Sequence, residues 1–382
     1  MRREAGIVVS SLQSETGPRA GRELRDQIEH FSAIHLKPSY GDFVLIAYSE
    51  ECRIYAGALR LHLDEHGCEV VCARMAAQND PTIADRLAVC LPPSIPKSRQ
   101  MLIITLEAES MSHFAVFSEI AARYGKDTVR TVRLTSVGPR LFEQGLLMSA
   151  DELSQRNATL LRELERDSSV TVQTDAGTDL EIKFDHDLYE WMSIRGTAAA
   201  GRITILPAGE IATYPVSVDG VFVADGAIHP NILIDFDVRL ERAPLTVEIE
   251  RAQAVSFSCE NAEISQLTSR MFAQPYGRRV GEVGFGTNAS LLGFTRENSH
   301  LNERFPGLHF GFGRHNQRPS IVPYISLSHY DVIMRGGRVA GCSGNGPNLD
   351  LANFETDYSA IHPFCDKDED LGDCCSDGLP QW

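Results

Sequence analysis

The alternation of short apolar runs with amphipathic segments in the first half of the chain most constrains the fold. Apolar runs of this length are typical of strands that are buried on both faces of a sheet. The segments between them carry apolar residues at helical spacing, as helices packed on such a sheet do. This pattern predicts an α/β domain with a parallel sheet over residues 39–150. The expected strands are residues 42–47, 69–73, 101–106 and 129–134, and the expected helices are residues 52–66 and 114–124.

After residue 150 the pattern changes to alternating runs separated by Gly, Pro and Asn. We therefore predict a mixed, largely β (α+β) domain over residues 151–364. A charged helix with Asp151 as its N-terminal cap is expected to open this domain. The expected elements are that helix at 151–166, a hairpin at 170–184, strands at 221–224, 232–238 and 245–249, and a helix at 262–272.

Two shorter segments flank these domains. Residues 1–38 are polar, and the helical spacing of Leu24, Ile28 and Phe31 predicts a helical extension. Residues 365–382 form an acidic, cysteine-containing tail, which we expect to be solvated.

Charge and cysteine content limit the partners and the compartment. The 382 residues include 36 Lys and Arg against 52 Asp and Glu, a formal net charge of −16, which disfavours binding to nucleic acid. No apolar stretch approaches the roughly 18 residues of a membrane span. Nine cysteines are too few for a disulfide scaffold. We therefore expect a cytoplasmic protein without nucleic-acid or membrane partners. A dinucleotide cofactor is not expected, because no G-x-G-x-x-G motif opens a helix after the first strand.

Four short segments of the second half contain side chains that bind divalent metals. They are LPAGE (206–210), GEVGFGTN (281–288), LHFGFGRHN (308–316) and SHYD (328–331). Their oxygen and imidazole donors suit hard or borderline metals. Taken singly, each glutamate also fits a surface or capping role, and the histidine at 309 fits a hydrogen-bonded core residue. The prediction rests on the combination, which only the fold can assemble. The candidate ligands are Glu210, Glu282, His309, His329 and Asp331.

These motifs carry a resemblance to a known group of enzymes. In the order GTDLEIKF, ILPAGEIATYP, GEVGFGTN, LHFGFG and SHYD, the chain resembles the metal-dependent leucyl aminopeptidases of the aminopeptidase T/S group. It is also similar to their relative, 2,5-dihydroxypyridine 5,6-dioxygenase. The resemblance covers most of the chain and implies an α/β domain before the domain that bears the motifs.

The resemblance implies roles for the five residues. In the aminopeptidases, the residues that correspond to Glu210, Glu282, His309, His329 and Asp331 hold two divalent metals, which would be zinc, cobalt or manganese. A carboxylate, Glu210 or Glu282, would act as the general base toward a metal-activated water. In the dioxygenase, two histidines and a carboxylate would hold one Fe(II). The resemblance also implies a homodimer.

The chain departs from the family pattern at two places. The acidic stretch that usually precedes the histidine of the fourth motif reads SHLNERFPGLH, with His300, Asn302 and Glu303 in its place. The segment that follows LHFGFG reads RHNQRPS. We predict that its basic residues bind an anionic group of the substrate, such as a peptide carboxylate, although a solvated basic loop is the alternative. Those residues are Arg314, His315 and Arg318.

Taken together, the sequence favours a metal-dependent, aminopeptidase-like hydrolase that acts on a small peptide or an amino-acid derivative. Two alternatives stay open. The altered segments fit a non-catalytic, peptide-binding homologue in the biosynthesis of a peptide natural product, and the ligand set also permits a mononuclear non-haem Fe(II) ring-cleaving dioxygenase.

Overall fold

A computed structural model describes residues 18–76, 80–108, 112–125, 127–344 and 346–360. The predicted acidic tail lies outside these residues. The predicted N-terminal extension is represented by helix α1 (Pro18–Phe31), which is followed by a π-helical segment at Ser32–Leu36. None of the helices in this described part has both the length and the apolar character needed to cross a membrane.

The first half forms the predicted parallel sheet. Its strands are β1 (Phe43–Tyr48), β2 (Glu69–Arg74), β3 (Met101–Leu106), β4 (Val129–Leu134) and β8 (Ile203–Leu206), in the order β2-β1-β3-β4-β8. Helices α2 (Arg53–Glu65), α3 (Ile83–Cys90) and α4 (Phe114–Tyr124) connect the first four strands. Every residue of β3 is buried, as expected for an apolar run covered on both faces. The fifth strand comes from residues beyond 150, so the sheet extends past the predicted limit of the first domain.

Helix α5 (Ala150–Leu164) joins the two parts of the chain. Its N-cap is Ser149 and not the predicted Asp151, which lies in the first turn. The Ser149 side chain accepts a hydrogen bond from the backbone of Glu152, and the Glu152 carboxylate accepts one from the backbone of Ser149. This capping box satisfies two backbone N–H groups that the helix leaves unpaired, which an aspartate inside the helix does not do.

The second half contains two antiparallel sheets, which confirms the predicted change from parallel to largely antiparallel structure. The larger sheet has the order β13-β12-β10-β6-β5-β17-β18. Its strands are β5 (Ser169–Gln173), β6 (Asp179–Lys183), β10 (Ser217–Ala224), β12 (Leu245–Glu250), β13 (Gln253–Ser258), β17 (Arg338–Gly341) and β18 (Asn348–Asp350). The hairpin predicted at 170–184 is the β5–β6 pair.

The smaller sheet, called the central sheet below, has the order β11-β16-β15-β14-β9-β7. Its strands are β7 (Met192–Ile194), β9 (Glu210–Thr213), β11 (Ala227–Pro230), β14 (Val280–Gly286), β15 (Gly307–Gly313) and β16 (His329–Ile333). Helices α6 (Ala262–Phe272) and α7 (His300–Arg304) complete the fold. The strand predicted at 232–238 is wrong, because strand β11 ends at Pro230 and the chain then becomes irregular.

The central sheet is buried on both faces, and the two faces differ in chemistry. Alternation along the strands places Phe285, Phe310 and Phe312 on one face. There the Phe310 ring packs edge-to-face on Phe222 of β10, with centroids 4.7 Å apart, and Phe312 packs on Phe272 of α6. The opposite face carries polar residues and glycines. The same period of two therefore builds the core and positions the candidate site.

Candidate metal centre

All five predicted ligands lie on the polar face of the central sheet. Glu210 is in β9, Glu282 in β14, His309 in β15, and the other two in β16. Each side chain is at most 2% exposed, although all five are polar. Buried polar groups require partners, so these five side chains need other groups or ions close by that neutralise their charge. The two residues of β16 are His329 and Asp331.

Strand register explains why the side chains meet. Glu282 pairs with Gly311, and Gly311 pairs with Asp331, so these residues form one row across three strands. His309 lies opposite Gly284, and His329 lies opposite Gly313. Cross-strand neighbours on one face are only about 4.5–5.5 Å apart. The glycines leave room for the acidic and imidazole groups of the neighbouring strands to lean over them.

Gly311 shows how closely the neighbouring side chains approach the backbone. A Cβ atom at this position would lie 2.6 Å from His329 Cε1, 3.0 Å from Asp331 Oδ1 and 3.0 Å from Glu282 Cβ. Real Cβ contacts are longer, so any side chain here would push the surrounding donors apart. The position requires glycine because of this close approach.

The first group of donors consists of Glu210, Glu282 and His309, whose ligand atoms all lie within 4.8 Å of one another. His309 Nε2 is 2.8 Å from Glu210 Oε1 and 3.7 Å from Glu282 Oε1. Burial alone would lower the pKa of His309, but the two carboxylates outweigh it and raise the pKa to about 9. Without a metal, a protonated imidazole therefore sits between two carboxylates.

The second group consists of Glu282, His329 and Asp331, again within 4.8 Å. His329 Nε2 lies 2.9 Å from Asp331 Oδ1. Burial would raise the pKa of Asp331, but the charges of His329 and other histidines lower it. Burial raises the pKa of Glu282, and the negative charges of Glu210 and Asp331 act in the same direction. Glu282 belongs to both groups and therefore links them.

These residues fit a divalent cation. Glu282 Oε2 has no hydrogen-bond partner among the described residues although it is buried, which is costly for a carboxylate oxygen. Carboxylate and imidazole donors that meet at one point are the ligands of zinc, manganese and iron sites. The second group supplies three of them.

Helix α7 adds two charged residues to the site. Arg304 is completely buried, and its Nη1 contacts Glu210 Oε2 and lies 3.1 Å from Glu303 Oε2. Its Nε donates to the carbonyl oxygen of Pro207 at 3.2 Å. Sequence reasoning singled out Glu303 but missed Arg304. The sequence did contain a signal for Arg304, because it is a basic residue within the segment that departs from the family pattern.

Two histidines that the sequence analysis did not assign as ligands form a third group with Glu303. His229 in β11 pairs in register with Asp331, and its Nδ1 contacts Glu303 Oε1. The ring of His300 packs edge-to-face on that of His229, with centroids 4.5 Å apart. A chain of buried contacts thus runs from His229 through Glu303 and Arg304 to Glu210.

A cavity of about 810 Å³ lies next to this third group. It is enclosed by the loop after β4 (136–144), the segment that begins at His229 and the residues that lead into α7. Both His229 and His300 contribute to its wall. The five predicted ligands are absent from the described residues that line the cavity, so in this structure they lie behind the wall.

The three residues predicted to bind the substrate have different surroundings. Of these, only Arg314 is among the described residues that line the cavity. His315 packs edge-to-face on Tyr324 and contacts its carbonyl oxygen through Nε2 at 2.9 Å. The Arg318 side chain is 65% exposed and lies 2.9 Å from Glu190. Only Arg314 is placed where it could meet a ligand in the cavity.

Comparisons with known proteins agree with the resemblance seen in the sequence motifs. Residues 141–321, slightly under half of the chain, match the sequence model of a family described as crocagin biosynthetic protein CgnE/B. No curated protein matches the sequence significantly. Two solved structures are similar in fold, and both are proteins named by the resemblance in sequence motifs.

The first is 2,5-dihydroxypyridine dioxygenase from Pseudomonas putida KT2440, which has a TM-score of 0.59 and 17% sequence identity. The similarity covers 89% of this chain and 99% of the dioxygenase. The second is the AmpT aminopeptidase from Thermus thermophilus, with a TM-score of 0.57 and 16% identity, covering 86% of this chain and 97% of AmpT. The chain therefore has the two-part fold of these enzymes, as the resemblance implied.

Proposed function

We propose that the protein is a metal-dependent hydrolase that acts on a small peptide or an amino-acid derivative in a biosynthetic pathway. The convergence of Glu282, His329 and Asp331, which are all buried and whose ligand atoms lie within 4.8 Å of one another, carries this proposal. The similarity in fold to an aminopeptidase and the match to a biosynthetic family support it.

The residues of the second group would hold the metal, and the neighbouring glutamate and histidine would complete its surroundings. A divalent metal bound there supplies Lewis acidity toward a carbonyl oxygen and lowers the pKa of a bound water. A carboxylate of the site, Glu210 or Glu282, would act as the proton acceptor, as the resemblance to the aminopeptidases implies. Asn157 of α5 fixes strand β9 by donating to the backbone oxygen of Glu210 at 2.9 Å.

The cavity beside His229 and His300 is the proposed binding site for the substrate. Its volume of about 810 Å³ falls within the range of sites that hold small ligands. Arg314 on its wall is suited to bind a carboxylate of the substrate. This arrangement would place the anionic end of a short peptide against arginine and its scissile bond toward His229, the cross-strand neighbour of Asp331.

Metal analysis combined with a hydrolysis assay tests the proposal. Protein purified without chelator should contain zinc, cobalt or manganese and release nitroaniline from aminoacyl-nitroanilides. Glu282→Gln and His329→Ala should abolish both properties, because each removes a ligand of the second group. Glu260→Gln and His66→Ala, which change exposed residues of the same types, should retain them. A protein that takes up none of these metals would rule out the proposal.

A non-catalytic, peptide-binding role is the second candidate. The position of the five donors behind the cavity wall favours it, because a ligand in the cavity would not reach them in this structure. Isothermal titration with short peptides distinguishes the two. Binding that survives chelator treatment and Glu282→Gln, without turnover in the presence of added metal, would indicate the binding protein.

A ring-cleaving dioxygenase is the third candidate. Such iron enzymes use two histidines and one carboxylate; the second group offers one histidine and two carboxylates, whereas the third group has the composition of an iron site. One iron per chain together with oxygen-dependent cleavage of a hydroxypyridine would replace the hydrolase proposal.

A further inference from the structure

The buried guanidinium of Arg304 is an unusual feature of a site rich in metal ligands. The side chain is 0% exposed, so its charge has been removed completely from water. Such a charge is tolerated only when anionic partners and hydrogen bonds replace the lost hydration. Its partners are Glu210 and Glu303, together with the carbonyl oxygen of Pro207.

The contacts of Glu210 show what the arginine does to the first group. One carboxylate oxygen, Oε2, contacts Arg304 Nη1, and the other, Oε1, lies 2.8 Å from His309 Nε2. Both oxygens are therefore occupied by nitrogen donors of this chain. Asp331, which belongs to the second group alone, has no hydrogen-bond partner for Oδ2 among the described residues, and neither has Oε2 of the shared Glu282. Each oxygen of Glu210 thus has a nitrogen beside it, whereas Asp331 and Glu282 each keep one oxygen for a metal.

Charge permits the same conclusion. The site holds four buried carboxylates, so Arg304 with one divalent ion leaves a net charge of −1, and a second divalent ion would change it to +1. The contacts of Glu210 therefore decide between the two. The carboxylates are Glu210, Glu282, Glu303 and Asp331.

We infer that the Arg304 guanidinium takes the place of one metal cation, between Glu210 and Glu303, so that the chain holds a single divalent ion at Glu282, His329 and Asp331. The inference rests on the proposed function in that it takes the second group to be a metal site. It predicts a stoichiometry of one, where the resemblance to the aminopeptidases implies two.

Metal content is the direct test. The wild-type chain, Arg304→Gln and Arg304→Lys are equilibrated with Mn²⁺, freed of excess ion and analysed by mass spectrometry. We expect one Mn²⁺ per wild-type chain and two in Arg304→Gln, because that change frees Glu210 and Glu303. Arg304→Lys retains a cation and should stay at one. Arg140→Gln is the matched control, since Arg140 lines the cavity but donates to the backbone oxygens of Gly293 and Phe294, and it too should stay at one.

Electron paramagnetic resonance gives a second readout that does not depend on activity. Two Mn²⁺ ions in neighbouring groups should show exchange-coupled signals in Arg304→Gln and not in the wild type. Mn²⁺ should also raise the melting temperature of Arg304→Gln more than that of the wild type, because it replaces the missing charge. The double variant Glu303→Gln/Arg304→Gln removes both charges of one pair but leaves Glu210, Glu282 and His309 in place, so it should show the same coupling if the single variant does not fold.

The outcomes separate this inference from the proposed function. Two ions in the wild type, or no gain of metal in either Arg304 glutamine variant that folds, would overturn the inference. A wild type without metal whose Arg304→Gln variant binds one ion would uphold the role of the arginine. That result would at the same time contradict the proposal of a metal-dependent hydrolase.

Discussion

Replacing Gly311 with alanine tests the geometry of the site with a single methyl group. The new Cβ would lie 2.6 Å from His329 Cε1 and 3.0 Å from Asp331 Oδ1, so these side chains have to move by several tenths of an ångström. The backbone itself accepts alanine, because Gly311 is not among the described residues with positive φ. The cost is therefore that of overpacking a tight site, about 1–3 kcal/mol of folding stability.

The loss of metal affinity should exceed what this stability change suggests. Substitutions of residues that only support metal ligands commonly weaken metal binding by about 10- to 100-fold. In Gly311→Ala the candidate ligands themselves are displaced. We expect Gly311→Ala to bind Mn²⁺ at least that much more weakly in a titration followed by calorimetry. Its urea-induced unfolding should still be cooperative.

Two further glycine variants serve as controls. Gly284→Ala would overlap the His309 ring and disturb the first group instead, so it should spare a metal at the second group. Gly57→Ala, in helix α2 with no atom within 4 Å of the new Cβ, should leave metal binding unchanged and stabilise the protein slightly. Undiminished Mn²⁺ affinity in Gly311→Ala would show that the metal does not use this space.

Three other changes test the fold and its electrostatics. Ser149→Ala should lower the free energy of unfolding by about 1 kcal/mol in urea titrations, because it removes the cap of α5, whereas Asp151→Ala should cost less. Burial lowers the pKa of His35 to about 4, so about 3 kcal/mol of stability should be lost as the pH falls from 6.5 to 4, and a His35→Gln variant that shows the same acid slope would contradict this. For His309, whose pKa is raised to about 9, chelator-treated protein should lose about 3 kcal/mol as the pH rises from 6.5 through 9, and His309→Gln should remove that loss.

Local patterns predicted most of the first domain. The apolar runs that form β1, β3 and β4 could be read directly, because a strand covered on both faces needs little beyond a short continuous apolar sequence. The fifth strand, β8, could not be assigned to that sheet, since its pairing with β4 is set by residues about 70 positions away. The strand expected at 232–238 failed for another reason. Its apolar residues cover the cavity region as an irregular segment, which alternation alone does not reveal.

The sequence alone indicated part of the candidate site. The five candidate ligands could be selected by residue type and by motif order, and the structure brings them into two overlapping groups. That they bind a metal stays a prediction. Arg304 and His229 could not, because what matters for both is a contact between distant segments. A lone arginine after a glutamate, and a lone histidine before a proline, are unremarkable in sequence. The predicted homodimer and cytoplasmic location remain predictions.

Side chains alternate between the two faces of β14 and β15, so the same two strands supply both the candidate site and part of the aromatic core. Each phenylalanine of these two strands is flanked by glycines or candidate ligands on the opposite face. A shift of one residue in the pairing of these strands would exchange the two faces. The charged donors would then lie against the aromatic core, and aromatic rings would lie beside Gly311. Burial of Phe285, Phe310 and Phe312 therefore fixes the register that brings Glu282, Gly311 and Asp331 into one row. The donors are held by the hydrophobic effect on the far face of the sheet, which is why they can remain close together even though their charges and burial oppose it.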